Sequence, residues 1–214
     1  VVIPDVSLTT ADPLPADNIR QIIHADGPIV MYIGNLEPYQ GIELLLDAFA
    51  VLNQKGSNAE LVVIGGTEEH IGKYGNRARE LGIGERVHFI GPRPVAALHG
   101  YLQQADILVS PRTEGVNTPM KIYSYMDSNR PLVATDITSH SQVLDERYAV
   151  LAPPEPGAFA DGIQQILNDK DKARAIAAAA KDLVAREHSP EVFVRRVHSL
   201  YDDLEAASGI EEPA

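Results

Sequence analysis

Six short apolar runs, rich in β-branched residues, recur along the chain with longer helix-compatible segments between them. In order, the runs are PIVMYIG (28–34), AELVVIGG (59–66), RVHFIG (86–91), DILVS (106–110), PLVAT (131–135) and YAVLAP (148–153). Buried strands that alternate with helices, with no hairpin dipeptide between the strands, indicate right-handed βαβ crossovers and a parallel sheet. The sequence therefore predicts a doubly wound α/β fold with about six parallel strands.

The segments between and after these runs carry helical signals. Behind the first run, Gly56 provides a stop for apolar residues that recur at helical spacing, namely Ile42, Leu45, Leu46, Phe49 and Leu52. The stretch 156–208 also has a helical pattern, with Ser189 as the N-cap of the last helix. We divide the chain into a linker with one short helix (1–27), an α/β domain (28–187), and a last helix with a frayed acidic tail (188–214).

The composition excludes several kinds of protein and site. The chain has 214 residues and no cysteine, which excludes disulfides, thiolate zinc sites and cysteine nucleophiles. Its apolar runs end well before the ~20 residues that a transmembrane helix needs. A formal net charge of −12, from 18 basic and 30 acidic residues with no Lys/Arg-rich run, argues against nucleic acid as a partner. That charge does not forbid a small phosphate ligand, because local groups would hold it.

The common cofactor and catalytic motifs are missing from the sequence. Neither GNLEPYQG nor GGTEEHIG is a dinucleotide fingerprint, and the second also misses the P-loop spacing. No pair of histidines has zinc-ligand spacing, and there is no G-x-S-x-G elbow. The DKD at 169–171 lies between two predicted helices, where aspartate normally caps. We therefore predict no metal site and no cofactor, and disfavour dehydrogenases, P-loop NTPases, zinc enzymes and serine hydrolases.

Ligands of doubly wound sheets bind at the carboxyl ends of the strands, where loops enter helices. This rule selects four loops, at 34–41, 65–67, 91–94 and 110–118. The last of these loops opens the stretch SPRTEGVNTPMKIYSYM (110–126). In this stretch a guanidinium, a carboxylate and an ammonium fall within a dozen residues of one another. A segment that only maintained the fold would not need those three charges together.

The start of the helix behind the fourth run is the first candidate site. Thr118 is a good N-cap and Pro119 a good first helical residue, so we expect free N–H groups there to face the cleft. Lys121 would lie in the first turn, where a cation is disfavoured unless an anion binds. Arg112 offers a fork suited to phosphate, and Gly115, after Glu114, permits close backbone approach. The alternative is a surface pair of Arg112 with Glu114 and a solvated Lys121.

The loop behind the first run, in YIGNLEPYQGIELLL, is the second candidate site. Gly34 ends the run, and Gln40 and Gly41 open the next helix, again with N–H groups toward the cleft. Amide side chains there could donate to phosphate oxygens. A glycine-containing loop with Pro38 in a turn fits this sequence equally well.

With both loops in view, the chain from about Pro28 to Asp169 resembles the C-terminal, nucleotide-sugar-binding domain of the family 4, or group 1, glycosyltransferases. Six ordered blocks carry the resemblance: MYIGNLEPYQGIELLLDAF, ELVVIGG, VHFIGPRP, YLQQADILVSPRTEG, PMKIYSYMDSNRPLVATD and QVLDERYAVLAPPEPGAFADGIQQIL. Each block is weak alone, and their order makes the match specific.

The resemblance implies a GT-B fold, in which two Rossmann-like domains face each other across a cleft. Residues 1–27 would then be the hinge from a missing N-terminal domain that binds the acceptor. The full-length protein would be a retaining, hexosyltransferase-like enzyme of polysaccharide or lipid-linked glycan assembly. It would need no metal and would be cytoplasmic, with the missing half meeting the inner face of the membrane. This fragment alone would bind the donor, a nucleoside-diphosphate sugar, without transferring the sugar.

The resemblance and the two loops together assign roles to residues. Arg112 and Lys121 would neutralise the β-phosphate, and Glu114 would orient hydroxyls of the donor sugar. The remaining donor-binding residues would be Gly34, Asn35, Gln40, Gly41, Gly65, Gly66, Ile90, Gly91, Gly115, Val116, Asn117, Thr118 and Ser124. Among these, Ser124 and the Gly65–Gly66 turn would border the ribose and phosphates, and backbone near Ile90 and Gly91 would read the base.

Three positions depart from the family pattern. Many members have Arg and Lys where this chain has the neutral Asn35 and Gln40, and a ribose-binding glutamate where it has Ser124. We hypothesise that Arg112 and Lys121 supply the missing cationic charge. Three alternatives stay open: loss of donor binding, a non-catalytic nucleotide-binding module, and a sugar-nucleotide epimerase of the same architecture.

Overall fold

The computed structural model describes residues 6–7, 14–24 and 26–208. Six parallel strands form one sheet in the order β3-β2-β1-β4-β5-β6. The strands are β1 (Ile29–Ile33), β2 (Glu60–Ile64), β3 (Val87–Gly91), β4 (Ile107–Ser110), β5 (Leu132–Thr135) and β6 (Val150–Ala152). Each lies within one of the six apolar runs, so the predicted sheet is confirmed.

Nine α-helices are assigned within the described residues. They are α1 (Ile19–Ile23), α2 (Ile42–Gln54), α3 (Glu68–Glu80), α4 (Leu98–Leu102), α5 (Lys121–Asp127), α6 (Thr138–Ser141), α7 (Pro156–Asn168), α8 (Lys170–Glu187) and α9 (Pro190–Ser208). Short 3-10 helices lie at Pro38–Gln40, Gly84–Arg86 and Val95–Ala97. Within the described part of the chain, no helix is both long enough and apolar enough to cross a membrane.

The side chains of each strand alternate between two cores, one on either face of the sheet. On β1, Val30 and Tyr32 join the core that includes Phe49 of α2 and Phe159 of α7. Ile29 and Met31 join the opposite core. The predicted apolar face of α2 is buried along its length, because all of Ile42, Leu45, Leu46, Phe49 and Leu52 are at most 1% exposed.

The strand order reverses between β1 and β4. The chain runs from β1 outward to β3, returns to β4, and continues outward to β6. The loops after β1 and β4 therefore diverge to opposite faces of the sheet and leave a crevice between them. Both predicted candidate loops follow these two strands.

Two predicted helix caps are confirmed, and one is wrong. Asp169 accepts a hydrogen bond from the Lys172 amide at 2.8 Å, and Ser189 accepts one from the Val192 amide at 3.3 Å. Thr118 does not cap α5, which begins at Lys121 with no side-chain cap. Instead, the Ile122 amide donates to the carbonyl of Pro119 at 3.0 Å, a 3-10-type turn that delays the helix.

Part of the segment predicted as a linker packs on the domain. Ile19 of α1 is fully buried, and its amide donates to Oε1 of Gln104 at 2.7 Å. The Leu14 amide donates to the carbonyl of Ala96 at 2.9 Å. The rest of the predicted linker, at 1–5, 8–13 and 25, and the predicted frayed tail at 209–214 lie outside the described residues.

Candidate functional site

A cleft of about 370 Å³ lies at the carboxyl ends of β1, β2 and β3, beside the start of α5. This is the end of the sheet at which doubly wound folds bind ligands. Its lining consists of Ile33, Gly34, Asn35, Ile64, Gly65, Gly66, Pro92, Arg93, Pro94, Val95, Leu98, Tyr101, Lys121, Ser124 and Tyr125.

Lys121, the first residue of α5, places its ammonium group at this cleft. Its Nζ donates to the hydroxyl of Tyr32 at 2.9 Å and to Oε1 of Gln40 at 2.8 Å. The same Nζ lies 4.2 Å from the centre of the Tyr32 ring. Among the described residues, no carboxylate forms an ion pair with it. The ammonium is therefore held by neutral groups alone.

Burial is the main cause of an unusual protonation equilibrium at Lys121. It lowers the pKa of the ammonium to about 7, and the positive charge of Arg112 lowers this pKa further in the same direction. A nearby anion would favour the charged form and raise the pKa again. Lys121 is thus able to change its charge near neutral pH when an anion binds.

Gly34 gives the Lys121 side chain the space that it occupies. A Cβ atom at this position would lie 2.8 Å from Nζ of Lys121 and 2.9 Å from the Tyr32 hydroxyl. Any larger residue would displace one of these polar groups. The glycine at the end of β1 therefore leaves room for the ammonium in this position.

Two tyrosines fix the end of β1 relative to α5. The Tyr125 hydroxyl donates to the carbonyl of Ile33 at 2.9 Å and accepts from the amide of the same residue at 2.7 Å. The Tyr32 hydroxyl donates to the carbonyl of Asn35 at 2.6 Å. Burial raises the pKa of Tyr32 and that of Tyr125, so both phenols stay neutral.

Arg112 organises the loop after β4. Its Nε donates to the carbonyl of Glu114 at 2.6 Å, and its Nη1 donates to the carbonyl of Asn117 at 3.1 Å. The guanidinium also lies 5.4 Å from the centre of the Tyr39 ring. With only 7% of the residue exposed, Arg112 holds the backbone of this loop and adds positive charge near Lys121.

A buried polar network of Thr135, His140 and Ser110 holds the backbone of Arg112. The hydroxyl of Thr135 donates to the carbonyl of Arg112, and Nδ1 of His140 lies 2.9 Å from the carbonyl of Thr135. Nε2 of His140 lies 2.9 Å from the hydroxyl of Ser110. Burial lowers the pKa of His140 to about 4, so the imidazole is neutral and serves as a hydrogen-bond bridge.

The first and fourth loops meet directly. A Cβ atom at Gly41 would collide with the carbonyl oxygen of Pro111, and Gly41 has a φ of 74°. The Thr113 amide donates to the carbonyl of Tyr39 at 3.0 Å. The two loops that the sequence singled out therefore form one continuous surface, with Arg112 and Lys121 on the same side of the molecule.

The predicted site residues divide into three groups. Six line the cleft: Gly34, Asn35, Gly65, Gly66, Lys121 and Ser124. Three others adjoin it through Lys121 or through the contact between the loops, namely Gln40, Gly41 and Arg112. The third group does not line it and consists of Ile90, Gly91, Glu114, Gly115, Val116, Asn117 and Thr118.

Sequence reasoning selected the loop at 91–94 but predicted no role for the side chains after Gly91, which form one wall of the cleft. This wall follows β3 and contains Pro92, Arg93, Pro94, Val95 and Leu98. One signal was available, because Arg93 follows the third apolar run just as Arg112 follows the fourth. The apolar members carried no such signal, since proline and valine in a loop do not indicate a ligand.

We found no sign of a metal centre in the part of the chain that the structure describes. None of its His, Asp and Glu side chains forms a cluster of three that could hold an ion. The aspartates of the DKD sequence serve other purposes: Asp169 caps α8 and Asp171 pairs with Arg174.

Comparison with known proteins connects this chain to a family. Residues 16–183 match the model of the family described as "Glycosyl transferases group 1". A curated relative, the phosphatidyl-myo-inositol mannosyltransferase of Mycobacterium leprae, is 27% identical over 188 residues, which are 86% of this chain and 48% of that protein. The chain thus spans about half the length of this relative.

Solved structures agree with this correspondence. HepE of Anabaena, crystallised in complex with UDP, superposes with a TM-score of 0.78 at 18% identity, covering 86% of this chain and 51% of that one. The C-terminal domain of a glycosyl transferase group 1 family protein from Francisella tularensis gives a TM-score of 0.70 at 20% identity. That match covers 85% of this chain and 98% of the Francisella domain, so the fold is that of a C-terminal domain.

Proposed function

Because the chain belongs to the group 1 glycosyl transferases, we propose that it binds a nucleoside-diphosphate sugar and, in the full-length protein, supports retaining transfer of the sugar. The acceptor would be held by an N-terminal domain. The observation that carries the proposal is the ammonium of Lys121, which is buried at the cleft and has no carboxylate partner among the described residues.

A buried charge without a counterion costs free energy. Tyr32 and Gln40 offset part of this cost for Lys121 by accepting its hydrogen bonds, but neither carries a compensating negative charge. A diphosphate at the cleft would supply that charge. The site is therefore better suited to the ligand-bound state than to the free one.

The positions of Asn35 and Gln40 are consistent with a relocated cation. Gln40 accepts a hydrogen bond from Lys121, a role that a lysine at position 40 could not fill because it has no acceptor. A positive side chain at position 40 would also repel the ammonium. We infer that the charge supplied by Arg and Lys after the first strand in other members comes here from Lys121, with Arg112 contributing at longer range.

The proposed transfer reaction would use this positive charge to stabilise the departing diphosphate. As the glycosidic bond lengthens, negative charge grows on the departing diphosphate, and a fixed cation stabilises the transition state more than the ground state. Arg112 would keep the loop from Glu114 to Asn117 in place, so that Glu114 can orient the donor sugar. Ser124 and the turn at Gly65–Gly66 would border the ribose and the phosphates. A general base, where one is used, would come from the N-terminal half.

A thermal-shift panel tests donor binding. A nucleoside diphosphate at ~100 times its dissociation constant should stabilise the chain by about 2.7 kcal/mol, which raises Tm by roughly 5–10 °C in a domain of this size. The panel consists of UDP, GDP and ADP, each against wild type, Lys121→Met and Lys73→Met. Lys73 is a matched control, because it is an exposed lysine that pairs with Glu43 on the surface.

The variants decide the role of Lys121. We expect Lys121→Met to lose most of the shift and Lys73→Met to keep it. A shift that survives in Lys121→Met would refute the assigned role. If none of the three diphosphates at millimolar concentration raises the Tm of the wild-type chain, the proposal that this domain binds the donor is wrong.

A further inference from the structure

A groove of about 500 Å³ lies at the amino ends of the strands, opposite the end of the sheet that carries the cleft. Pro28, Asp106 and Pro131, which precede β1, β4 and β5, belong to its lining, as do residues from the end of α7 and the first turns of α8. We call it the amino-end groove. It shares no lining residue with the cleft, so it is a separate candidate site.

The amino-end groove is cationic, although the chain as a whole is acidic. Among the described residues, its lining includes one carboxylate, that of Asp106, and four cations, namely Arg20, Arg130, Lys170 and Arg174. The whole chain has a formal net charge of −12. Like charges that share one groove repel each other, and an anion bound between them would remove that repulsion. This distribution of charge therefore favours an anionic ligand.

Two of the four cations are paired with a carboxylate. Asp106 lies 2.8 Å from Nη2 of Arg20 and also accepts a hydrogen bond from the Ile29 amide at 2.8 Å. Arg174 pairs with Asp171, an exposed residue that does not belong to the lining. Exposed ion pairs contribute little free energy, so a ligand with a higher charge can compete with Asp171 for this guanidinium.

The other two cations form no ion pair with a carboxylate of the described residues. Arg130 is anchored on one side, because its Nη2 donates to the carbonyl of Gln103. Its Nε and Nη1 make no hydrogen bond within the described part of the chain, so most of its five N–H donors remain for a ligand. Lys170 begins α8 and is exposed, which leaves its ammonium available at the same groove.

The size and the lining of the groove indicate the kind of anion. A volume of about 500 Å³ is typical of small-ligand sites. The net charge of −12 opposes contact with a large anionic surface, such as nucleic acid or an anionic membrane, whereas local groups govern the binding of a small anion. A guanidinium fork fits phosphate oxygens. The side chains of Ile166 and Leu167 offer apolar contact to the carbon atoms of such a ligand.

We propose that the amino-end groove binds a small, free phosphate ester, at a site separate from the proposed donor cleft. The phosphate of this ester contacts Arg130 and Lys170, and its carbon atoms cover Ile166 and Leu167. The site does not involve Lys121, so ligand binding here is independent of donor binding.

Phenyl phosphate is a suitable probe, because it combines a phosphate that is doubly charged above about pH 6 with an apolar ring. Shifts of the backbone amide NMR signals of the wild-type chain measure its binding, with inorganic phosphate in a parallel titration. We expect millimolar phenyl phosphate to shift the amides of residues 129–130 and 170–177. It should also bind more tightly than inorganic phosphate, because the ring buries apolar surface.

Substitutions identify the groups that hold the phosphate. Arg130→Met should weaken the affinity of the groove about tenfold, the scale of one charge-assisted hydrogen bond. Lys170→Met should weaken it roughly two- to fivefold, because an exposed charge contributes less. Arg186→Met is the matched control, since it removes an exposed cation of the same helix that pairs with Asp182, and it should match wild type. Lys121→Met should also leave the shifts at the groove unchanged.

Several outcomes would overturn the site. They are the absence of shifts at these amides in wild type, an affinity that neither Arg130→Met nor Lys170→Met weakens, and inorganic phosphate that binds as tightly as phenyl phosphate. Loss of the shifts in Lys121→Met would assign the anion to the donor cleft instead. Unchanged amide signals of the sheet show that Arg130→Met is folded, and Lys170→Met tests the site at an exposed position.

A separate experiment distinguishes a free ester from a lipid headgroup. Vesicles of phosphatidylcholine and phosphatidic acid are sedimented with wild type and with Arg130→Met. We expect neither protein to sediment with them, because the chain is acidic. Binding by wild type that Arg130→Met abolishes would place the phosphate on a lipid and overturn the free ligand. None of these results bears on UDP binding at the cleft, so failure here leaves the proposed function standing.

Discussion

Lys121 is the side chain whose charge the site controls most directly. Around it, Tyr32 and His140 stay neutral near pH 7, because burial raises the pKa of the first and lowers the pKa of the second to about 4. Between pH 7 and 9, titration within this group therefore falls on Lys121, with its pKa of about 7.

We predict that diphosphate affinity falls as the pH rises above 7. The anion binds the ammonium form, and the free chain increasingly loses that proton above its pKa, so affinity drops by up to about tenfold per pH unit. Titrations with UDP at pH 7, 8 and 9 measure the slope. Lys121→Arg is the matched control, because a guanidinium remains charged and should give a flat profile.

The same pKa sets the sign of a stability effect. The ordinary lysine pKa of 10.5 applies to the unfolded chain, so between pH 7 and 10.5 that chain binds a proton that the folded chain lacks. Stability contributed by Lys121 therefore rises with pH across this window.

A pH-independent affinity for UDP, or a slope that persists in Lys121→Arg, would contradict the assignment of the titration to Lys121.

At this scale, the sequence predicted that Lys121 and Gly34 lie at the cleft, but not the contacts that hold the surrounding loops. Lys121 and Gly34 were found because a cation in a first turn and a glycine after a strand are local signals. The contacts of Arg112 with the carbonyls of Glu114 and Asn117 were not predictable, since a side chain that folds back on its own loop leaves no periodic pattern. No role was predicted for the Arg93 side chain for a similar reason, because only the folded chain shows that this residue lines the cleft.

Among the elements, strands were easier to predict than the start of α5. Each strand lies within a short apolar run that the sequence displays directly, and every residue of β2, β4 and β5 is buried. The helix behind β4 carries a Thr-Pro start signal at Thr118, yet a 3-10-type turn at Pro119 comes first and α5 begins at Lys121. The preceding loop is held by Arg112 and by the buried network below it, and these tertiary contacts override the local signal.

The turn after β2 and the helix α3 respond oppositely to the same substitution. Gly65 has a φ of 117°, and a Cβ atom there would collide with the carbonyl oxygen of Gly34. Gly72 lies inside α3, and a Cβ atom there would meet no atom within 4 Å. We predict that Gly65→Ala destabilises by about 2 kcal/mol or more, whereas Gly72→Ala stabilises by roughly 0.5–1 kcal/mol.

Urea unfolding of the two variants beside wild type measures both effects. The denaturant midpoint should move in opposite directions while the m value stays constant. A Gly65→Ala variant as stable as wild type would mean that the β2 turn does not approach β1 as closely as described. In that event the floor of the cleft would also need revision, because Gly34 and Gly65 both line it.

At the scale of the whole molecule, helix α9 exposes apolar side chains that the rest of the described chain does not cover. Val192 of this helix is buried, but Val194, Tyr201 and Leu204 are 50%, 61% and 54% exposed. The spacing of these three residues puts them on one side of the helix. We predict that the N-terminal half of the proposed full-length protein covers this side, since a group of exposed apolar residues marks an interaction surface.

We predict that Val194→Asp and Tyr201→Asp act differently in the fragment and in the full-length protein. In the fragment these are exposed positions, so each change should alter stability by less than about 0.5 kcal/mol. In the full-length protein each would bury a charge against an apolar contact, at a cost of at least about 2 kcal/mol. Urea unfolding of both forms, with hydrogen exchange of the α9 amides, measures the contrast.

Slow exchange of α9 only in the full-length protein would locate the contact there. Equal exchange in both forms would mean that the N-terminal half does not cover this side of α9.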